Sequence, residues 1–227
     1  MSKRATSSPL GILMLDTQFP RIPGDVGNPK SFDFPVLYET IALASPDLVV
    51  RKDPSALLPD FIAAGHKLVA RGARGIGTSC GFLTPFQDRL SAALPVPVLT
   101  SALSQVPWIA STLSSGQKVG ILTISAQSLT PAHLSAAHVT LETPIAAPDE
   151  SGTFVQSVLG NQTELDVAAA EQEMVQAALK LKAQTPGLAA IVLECTNMPP
   201  YAPAIAQATG LPVYSILTSL NWLQAGL

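Results

Sequence analysis

The chain has 227 residues, of which 47% are hydrophobic and 13% are charged, and its formal net charge at pH 7 is -3. The charged fraction is well below the roughly 25% usual in soluble domains, so much of the chain must lie in buried, layered structure. No basic cluster follows Lys3 and Arg4, so neither nucleic acid nor an anionic membrane surface is an expected partner.

Buried strands are predicted by eight short apolar runs, and helical patterns lie between several of them. The runs are 10–15, 47–50, 75–79, 96–99, 119–124, 138–141, 189–194 and 212–217. Helices are predicted over about 55–71, ending at Gly72, and about 163–184, starting at the capping box "TELD" and ending at Pro186 and Gly187. Strands that alternate with helices predict an α/β fold with a doubly wound parallel sheet.

Two pairs of segments are similar between the halves of the chain. "GILMLDTQ" (11–18) is similar to "GILTISAQ" (120–127), and "LPVPVLTSAL" (94–103) is similar to "LPVYSILTSL" (211–220). Such short strand-entry segments also arise by chance. A duplication predicts two similar doubly wound α/β domains related by pseudo-twofold symmetry, with the site in the cleft between them. We predict that residues 1–105 and 211–227 form the first domain and that 106–210 form the second.

Metal and membrane functions are not expected. The chain has two cysteines, with no C-x-x-C pair and no Cys/His spacing typical of zinc, so neither a disulfide scaffold nor a metal site is predicted. The apolar run 10–15 is too short for a signal-peptide core, and no run reaches the roughly 18 residues of a membrane span. We expect a cytoplasmic protein.

The two cysteines occupy comparable positions in the two halves. Cys80 in "GTSC" and Cys195 in "LECTNMPPYA" each follow a predicted strand and precede a predicted helix. In open parallel sheets, ligands bind at the carboxyl ends of strands. A nearby helix N-terminus is expected to lower a thiol pKa toward neutrality. If the halves face each other, one thiolate could remove a proton from carbon while the opposite thiol donates another.

Small polar groups around both thiols are candidate donors to a developing negative charge. They are the hydroxyls of Thr78, Ser79 and Thr196, the amide of Asn197, and the backbone amides that follow the cysteines, beginning at Gly81. The alternative is that both cysteines are ordinary buried core residues.

"GTSCGFL", "LECTNMPPYA", "GILMLDTQFPRIPGD" and "VGILTISAQSL" resemble segments of the aspartate/glutamate racemase superfamily. The resemblance spans nearly the whole chain. It implies two similar α/β domains with the site between them, Cys80 and Cys195 as a paired acid and base, and catalysis without pyridoxal phosphate or another cofactor.

Further roles follow from the resemblance one residue at a time. Thr196 matches the threonine that helps to hold the substrate carboxylate. Asp16 and Thr17 resemble the Asp-Ser pair that is implicated in binding the amino group. Thr123, with Ser125 as its substitute, resembles a carboxylate-binding hydroxyl of the second half.

The chain also departs from the glutamate racemase pattern. Gly81 and Phe82 follow Cys80 where the family has Asn-Thr, and Asn197 replaces a histidine and cannot act as an acid or base. Arg21, in a proline-rich loop, could bind a second substrate carboxylate or could simply be a solvated side chain. Phe82 beside the first thiol would equally suit an apolar substrate.

The expected function is therefore a racemase of an amino acid, by default aspartate or glutamate, without a cofactor. The alternatives are a hydantoin racemase, a maleate isomerase or a relative of arylmalonate decarboxylase, although such decarboxylases use one cysteine. A non-catalytic small-molecule binder and a thiol redox sensor also remain. The substrate side chain, the role of each cysteine and the oligomeric state, including a homodimer, stay open.

Overall fold

A computed structural model describes residues 8–227, so that Lys3 and Arg4 lie outside the described part. The first half contains one parallel sheet with the strand order β2-β1-β3-β4. Its strands are β1 (Leu10–Leu15), β2 (Val36–Ile41), β3 (Gly75–Thr78) and β4 (Val98–Leu99). Since β1 is a central strand covered on both faces, all six of its residues are buried.

The helices of the first half flank this sheet. They are α1 (Pro46–Arg51), α2 (Leu58–Ala70), α3 (Gln87–Ala93) and α4 (Gln105–Ser111). The strand predicted at 47–50 is wrong, because Ser45 caps the segment through a hydrogen bond from the Leu48 N–H and Pro46 occupies the first helical turn. Its apolar residues form one buried face of α1. The strand of this sheet that the sequence did not predict is β2.

A second parallel sheet repeats the same arrangement, with the order β6-β5-β7-β8. Its strands are β5 (Lys118–Leu122), β6 (Ile145–Ala146), β7 (Leu188–Leu193) and β8 (Val213–Tyr214). The strand predicted at 138–141 is wrong, because His138 adopts a positive φ of 56° that ends the preceding helix in a turn. The edge strand is β6 instead.

The helices of the second half are α5 (Pro131–Ala136), α6 (Thr153–Leu159), α7 (Val167–Gln184), α8 (Ala202–Thr209) and α9 (Ile216–Ala225). The helix α7 starts later than predicted, because Asp166 accepts hydrogen bonds from the Ala168 and Ala169 N–H groups and is its N-cap. The run 212–217 divides, because Ser215 caps α9 directly after β8.

The two sheets confirm the predicted fold class of two similar α/β units. Equivalent strands occupy equivalent places in the two orders. The end of the chain contacts both halves, since β8 pairs with β7 whereas α9 packs beside β3. The division into 1–105 with 211–227 and 106–210 stays a prediction.

Within residues 8–227 no helix combines the length and the apolar character that crossing a membrane requires. The same residues contain no cluster of three or more His, Cys, Asp or Glu side chains suited to a metal ion.

Candidate active site

Both cysteines line one enclosed pocket between the two sheets. Cys80 lies two residues after β3 and Cys195 two residues after β7, so each thiol is at the carboxyl end of a central strand. The pocket is narrow, with a cavity volume of about 20 Å³. Besides Arg21, Glu194 and small polar groups, its wall is apolar: Leu15, Phe19, Pro46, Val50, Phe82, Ile124, Val158 and Leu159. The cleft predicted between the halves is therefore formed by these residues.

Hydrogen bonds between the halves hold the pocket together. The Thr196 hydroxyl donates to the Ser79 carbonyl oxygen at 2.6 Å, which joins the two cysteine segments. The loop after β1 is joined to the second half by the Val26 N–H, which donates to the Thr196 carbonyl. These bonds keep the two thiols on one pocket without a disulfide, since both cysteines are free.

A buried polar network positions Cys195. Asp25 accepts hydrogen bonds from Arg21 Nη1 at 3.0 Å, from the Gly27 N–H and from Asn197 Nδ2 at 2.7 Å. An ionised carboxylate only accepts hydrogen bonds, so the Asn197 amide must turn its NH₂ toward Asp25. Its Oδ1 then faces Cys195, whose thiol donates to it at 3.6 Å.

Arg21 is held on three sides in the same network. Its Nη2 donates to the Thr17 hydroxyl at 2.9 Å, and its guanidinium carbon lies 4.3 Å from the centre of the Phe19 ring. The Nε of Arg21 is buried and has no hydrogen-bond partner within the described residues. The Nε–H is therefore a buried donor that the described residues leave unsatisfied.

Glu194 brings a carboxyl group to the pocket and is fully buried. Its Oε2 accepts a hydrogen bond from the Thr123 hydroxyl at 2.7 Å, whereas its Oε1 has no partner within residues 8–227. Burial raises the pKa of this carboxyl to about 8, and the Thr123 hydrogen bond opposes that rise. Gly81 lies against the carboxyl, and a side chain there would collide with it.

The thiol pKa values differ from the expectation drawn from helix N-termini. Burial, and next the charge of Glu194, raise the pKa of both Cys80 and Cys195 above the ordinary value. The backbone N–H of Phe82 and that of Asn197 act in the opposite direction at the two sulfurs but do not outweigh burial. The short 3₁₀ turns 81–86 and 199–201 separate the cysteines from the N-termini of α3 and α8.

Eight of the predicted site residues line the pocket: Cys80, Cys195, Thr17, Arg21, Ser79, Gly81, Thr196 and Asn197. The other four do not. Asp16 is exposed, and the buried Thr78 hydroxyl donates to the Thr100 carbonyl. Thr123 donates to Glu194 and Ser125 to Ser128, so neither hydroxyl reaches the pocket wall. The roles of all twelve stay predictions.

Two residues of the site were missed in the sequence. Glu194 is a single acidic residue directly after the apolar run "LAAIVL". A lone ionisable residue at the end of a buried strand is the sequence feature that could have identified it. Asp25 gives no such signal, because it lies in a proline- and glycine-rich loop whose path depends on contacts with the second half.

The fold and the site define a two-sheet α/β enzyme with a pair of thiols in the cleft. Residues 106–222 match the model of the Asp/Glu/hydantoin racemase family, and the chain belongs to this family. A solved structure of unliganded arylmalonate decarboxylase is similar in fold, with a TM-score of 0.67, 14% identity, and coverage of 97% of this chain and 92% of that one.

Relatives that are more similar in sequence carry another name. Dimethylsulfoniopropionate lyase 7 of Emiliania huxleyi is 31% identical, over 96% of this chain and 67% of its own length. A dimethylsulfoniopropionate lyase of Durusdinium sp. clade D is 29% identical, over 96% of this chain and 74% of its own length.

These relatives correct the functional expectation. The prediction of an amino-acid racemase is wrong, and with it the assignment to amino-acid metabolism, because the similar curated proteins are lyases. The alternative expectation, an arylmalonate decarboxylase-like enzyme on the same scaffold, agrees better with these comparisons than the racemase does. The error arose because the cysteine motifs identify the scaffold and not the bond that is broken.

Proposed function

We propose that this chain is a dimethylsulfoniopropionate lyase. The observation that carries the proposal is the 31% identity to such a lyase over 96% of the chain, which includes both halves of the site. The pocket supports it, since it combines two thiols, a free guanidinium donor and apolar walls in one enclosed space.

The reaction is an elimination that needs only a base and a well-placed leaving group. The base removes a proton from C2, beside the carboxylate, and the C2–H electron pair forms the C2=C3 double bond. The C3–S bond breaks, and its electrons go to the sulfur. The cationic sulfonium therefore leaves as neutral dimethyl sulfide, and acrylate remains. The proton stays on the base until solvent accepts it, and no redox partner is required.

Cys80 is the base in this proposal. Asp25 orients Asn197 so that its Oδ1 accepts from the Cys195 thiol, which stabilises the protonated form of Cys195. Within residues 8–227 the Cys80 thiol has no such acceptor, and the positive charge of Arg21 favours its thiolate, whereas the charge of Asp25 disfavours a thiolate at Cys195. Cys195 then acts as a thiol that faces the developing carbanion.

The substrate carboxylate is bound at the Arg21 end of the pocket. Arg21 offers its unpaired Nε. The oxygens of Thr17 and Ser79 already accept hydrogen bonds, from Arg21 Nη2 and the Leu15 N–H, so each hydroxyl keeps its hydrogen for a ligand. Charge collecting on the carboxylate as the C2 proton leaves would be stabilised by these donors.

Release of dimethyl sulfide tests the proposal. The purified chain is incubated with dimethylsulfoniopropionate without added cofactor, and dimethyl sulfide in the headspace and acrylate in solution are measured over time. We expect equal amounts of both products. Cys80→Ser should lower the rate by about 10²–10⁴-fold, since it removes the proton acceptor. A wild-type rate no higher than that of buffer would overturn the proposal.

A second measurement tests the assignment of the base. In heavy water, Cys195→Ser should still exchange the C2 hydrogen of propionate-type analogues that lack a leaving group, whereas Cys80→Ser should not. Equal urea midpoints for the two variants serve as the folding control. Exchange by Cys80→Ser alone would assign the base to Cys195.

A further inference from the structure

Glu194 is a buried ionisable group on the pocket that the elimination does not use. It is fully buried at the end of β7, lines the pocket, and lies close enough to both cysteines to raise the pKa of each. Its Oε2 accepts from Thr123, but its Oε1 has no hydrogen-bond partner in the described part of the chain. A carboxyl group so placed is costly unless something in the pocket compensates it.

No side chain on the pocket supplies that compensation. Arg21 is the one cationic residue lining the pocket among residues 8–227, and its guanidinium is bound to Asp25 and Thr17. Glu194 takes part in none of the salt bridges of these residues. In the empty pocket the raised pKa keeps a proton on this carboxyl near pH 7, so an ionised Glu194 requires a bound molecule that carries positive charge.

The lining of the pocket favours an alkylated cation over a hydrogen-bond donor. Besides its polar groups the pocket has apolar side chains, with Phe82, Ile124 and Leu159 among them. Methyl groups around a cationic centre would pack on these side chains, while the charge interacts with the carboxylate through a medium of low dielectric constant. A strongly hydrated ammonium would lose its water there without enough acceptors to replace it.

We propose that Glu194 is the counter-ion for the cationic end of the substrate and makes the pocket select zwitterionic onium carboxylates over their uncharged isosteres. The inference rests on the proposed function and names the residue that recognises the sulfonium. Arg21 and Glu194 then form the two poles of the pocket, one for each charge of the substrate. When the cation enters, the carboxyl ionises and its proton passes to solvent.

The test uses two ligands that differ only in charge and contain no sulfonium leaving group. They are 3-(trimethylammonio)propanoate and its carbon isostere 4,4-dimethylpentanoate. Titration calorimetry gives the affinity of each for the wild type, for Glu194→Gln, and for the control Glu164→Gln, which changes an exposed glutamate. Glutamine keeps the size and the acceptor for Thr123 but loses the charge.

We expect the wild type and Glu164→Gln to bind the cationic ligand on the order of tenfold more tightly than the isostere, since a buried charge gains its partner. In Glu194→Gln the two affinities should agree within about twofold. Titrations in buffers of different ionisation heat at pH 7 should show release of nearly one proton by the wild type with the cation, and none with the isostere.

Two results would overturn the inference: a wild type that does not distinguish the ligands, or a Glu194→Gln variant that keeps the full preference. The wild-type affinities and proton release need no variant, so a misfolded variant does not leave the matter undecided. Binding and turnover also separate the two proposals. A preference for the cation without dimethyl sulfide release would overturn the lyase assignment alone. Release without a preference would overturn the counter-ion alone.

Discussion

The pH dependence of stability should carry a large contribution from Glu194. The carboxyl has an ordinary pKa of 4.5, and burial raises it to about 8 in the folded chain. Between these values the folded state holds a proton that the unfolded state has lost, so this contribution to stability falls as the pH rises. One unit of pKa difference corresponds to about 1.4 kcal/mol, so the full loss is about 5 kcal/mol once the pH exceeds both values.

Glu194→Gln isolates this contribution, because glutamine does not titrate. Between pH 5 and pH 8, linkage predicts that the unfolding free energy of the wild type falls by about 3.5 kcal/mol relative to that of the variant. The assay is urea unfolding of both proteins at one-unit steps of pH. Burial is the larger cause of the raised pKa of Cys80 and of Cys195, so both thiols stay protonated from pH 5 to pH 8 in either protein and add nothing to the difference.

The matched control is Glu164→Gln, whose exposed side chain should give a constant difference from the wild type. A difference between wild type and Glu194→Gln that stays within about 0.5 kcal/mol from pH 5 to pH 8 would refute the reasoning. It would mean that water or a rearrangement solvates the carboxyl, and that the pocket does not hold an uncompensated acid.

Three further predictions concern the same site. Gly81→Ala should lower the free energy of unfolding by about 2 kcal/mol in urea unfolding, because the added Cβ would lie 2.5 Å from the Glu194 carbonyl oxygen and against the carboxyl. The control Gly226→Ala should be neutral, because its Cβ would meet only the Leu223 carbonyl oxygen at 3.5 Å. Asp25→Ala should lower the free energy of unfolding by about 3 kcal/mol, because Arg21 and Asn197 lose their buried acceptor. An equal effect of Asp33→Ala, which changes an exposed residue of the same loop, would contradict this. The kcat/KM for dimethyl sulfide release should rise by about 10²-fold from pH 7 to pH 9, because burial and Glu194 raise the pKa of both thiols above this range and the thiolate fraction then grows about tenfold per pH unit; a plateau reached below pH 7 would argue against a thiolate base.

Local pattern predicted the elements that lie at the centre of each sheet. The runs at β1, β3, β5 and β7 are short, apolar and bounded by polar or glycine residues, so their strands follow from burial on both faces. The edge elements were less predictable. The segment 47–50 has a composition typical of a strand, but it forms a helix because Ser45 is a helix N-cap.

The pocket residues divide in the same way. Cys80 and Cys195 were predicted because each ends a central strand, and parallel strands direct their carboxyl ends to one edge. The Arg21–Asp25 pair is local to one loop, whereas Asn197 of the second half joins the network by donating to Asp25, and the Val26 N–H donates to the Thr196 carbonyl. The last two contacts join residues far apart in the chain, which no local pattern encodes.

The sequence alone determined the α/β class, the repeated halves and the two thiols at strand ends, because hydrophobic periodicity and strand direction are local properties. Only the tertiary structure decided that Glu194 is buried on the pocket with a free oxygen and that burial raises both thiol pKa values. Desolvation depends on every segment that covers a group, and that cover forms only when the two halves close on each other.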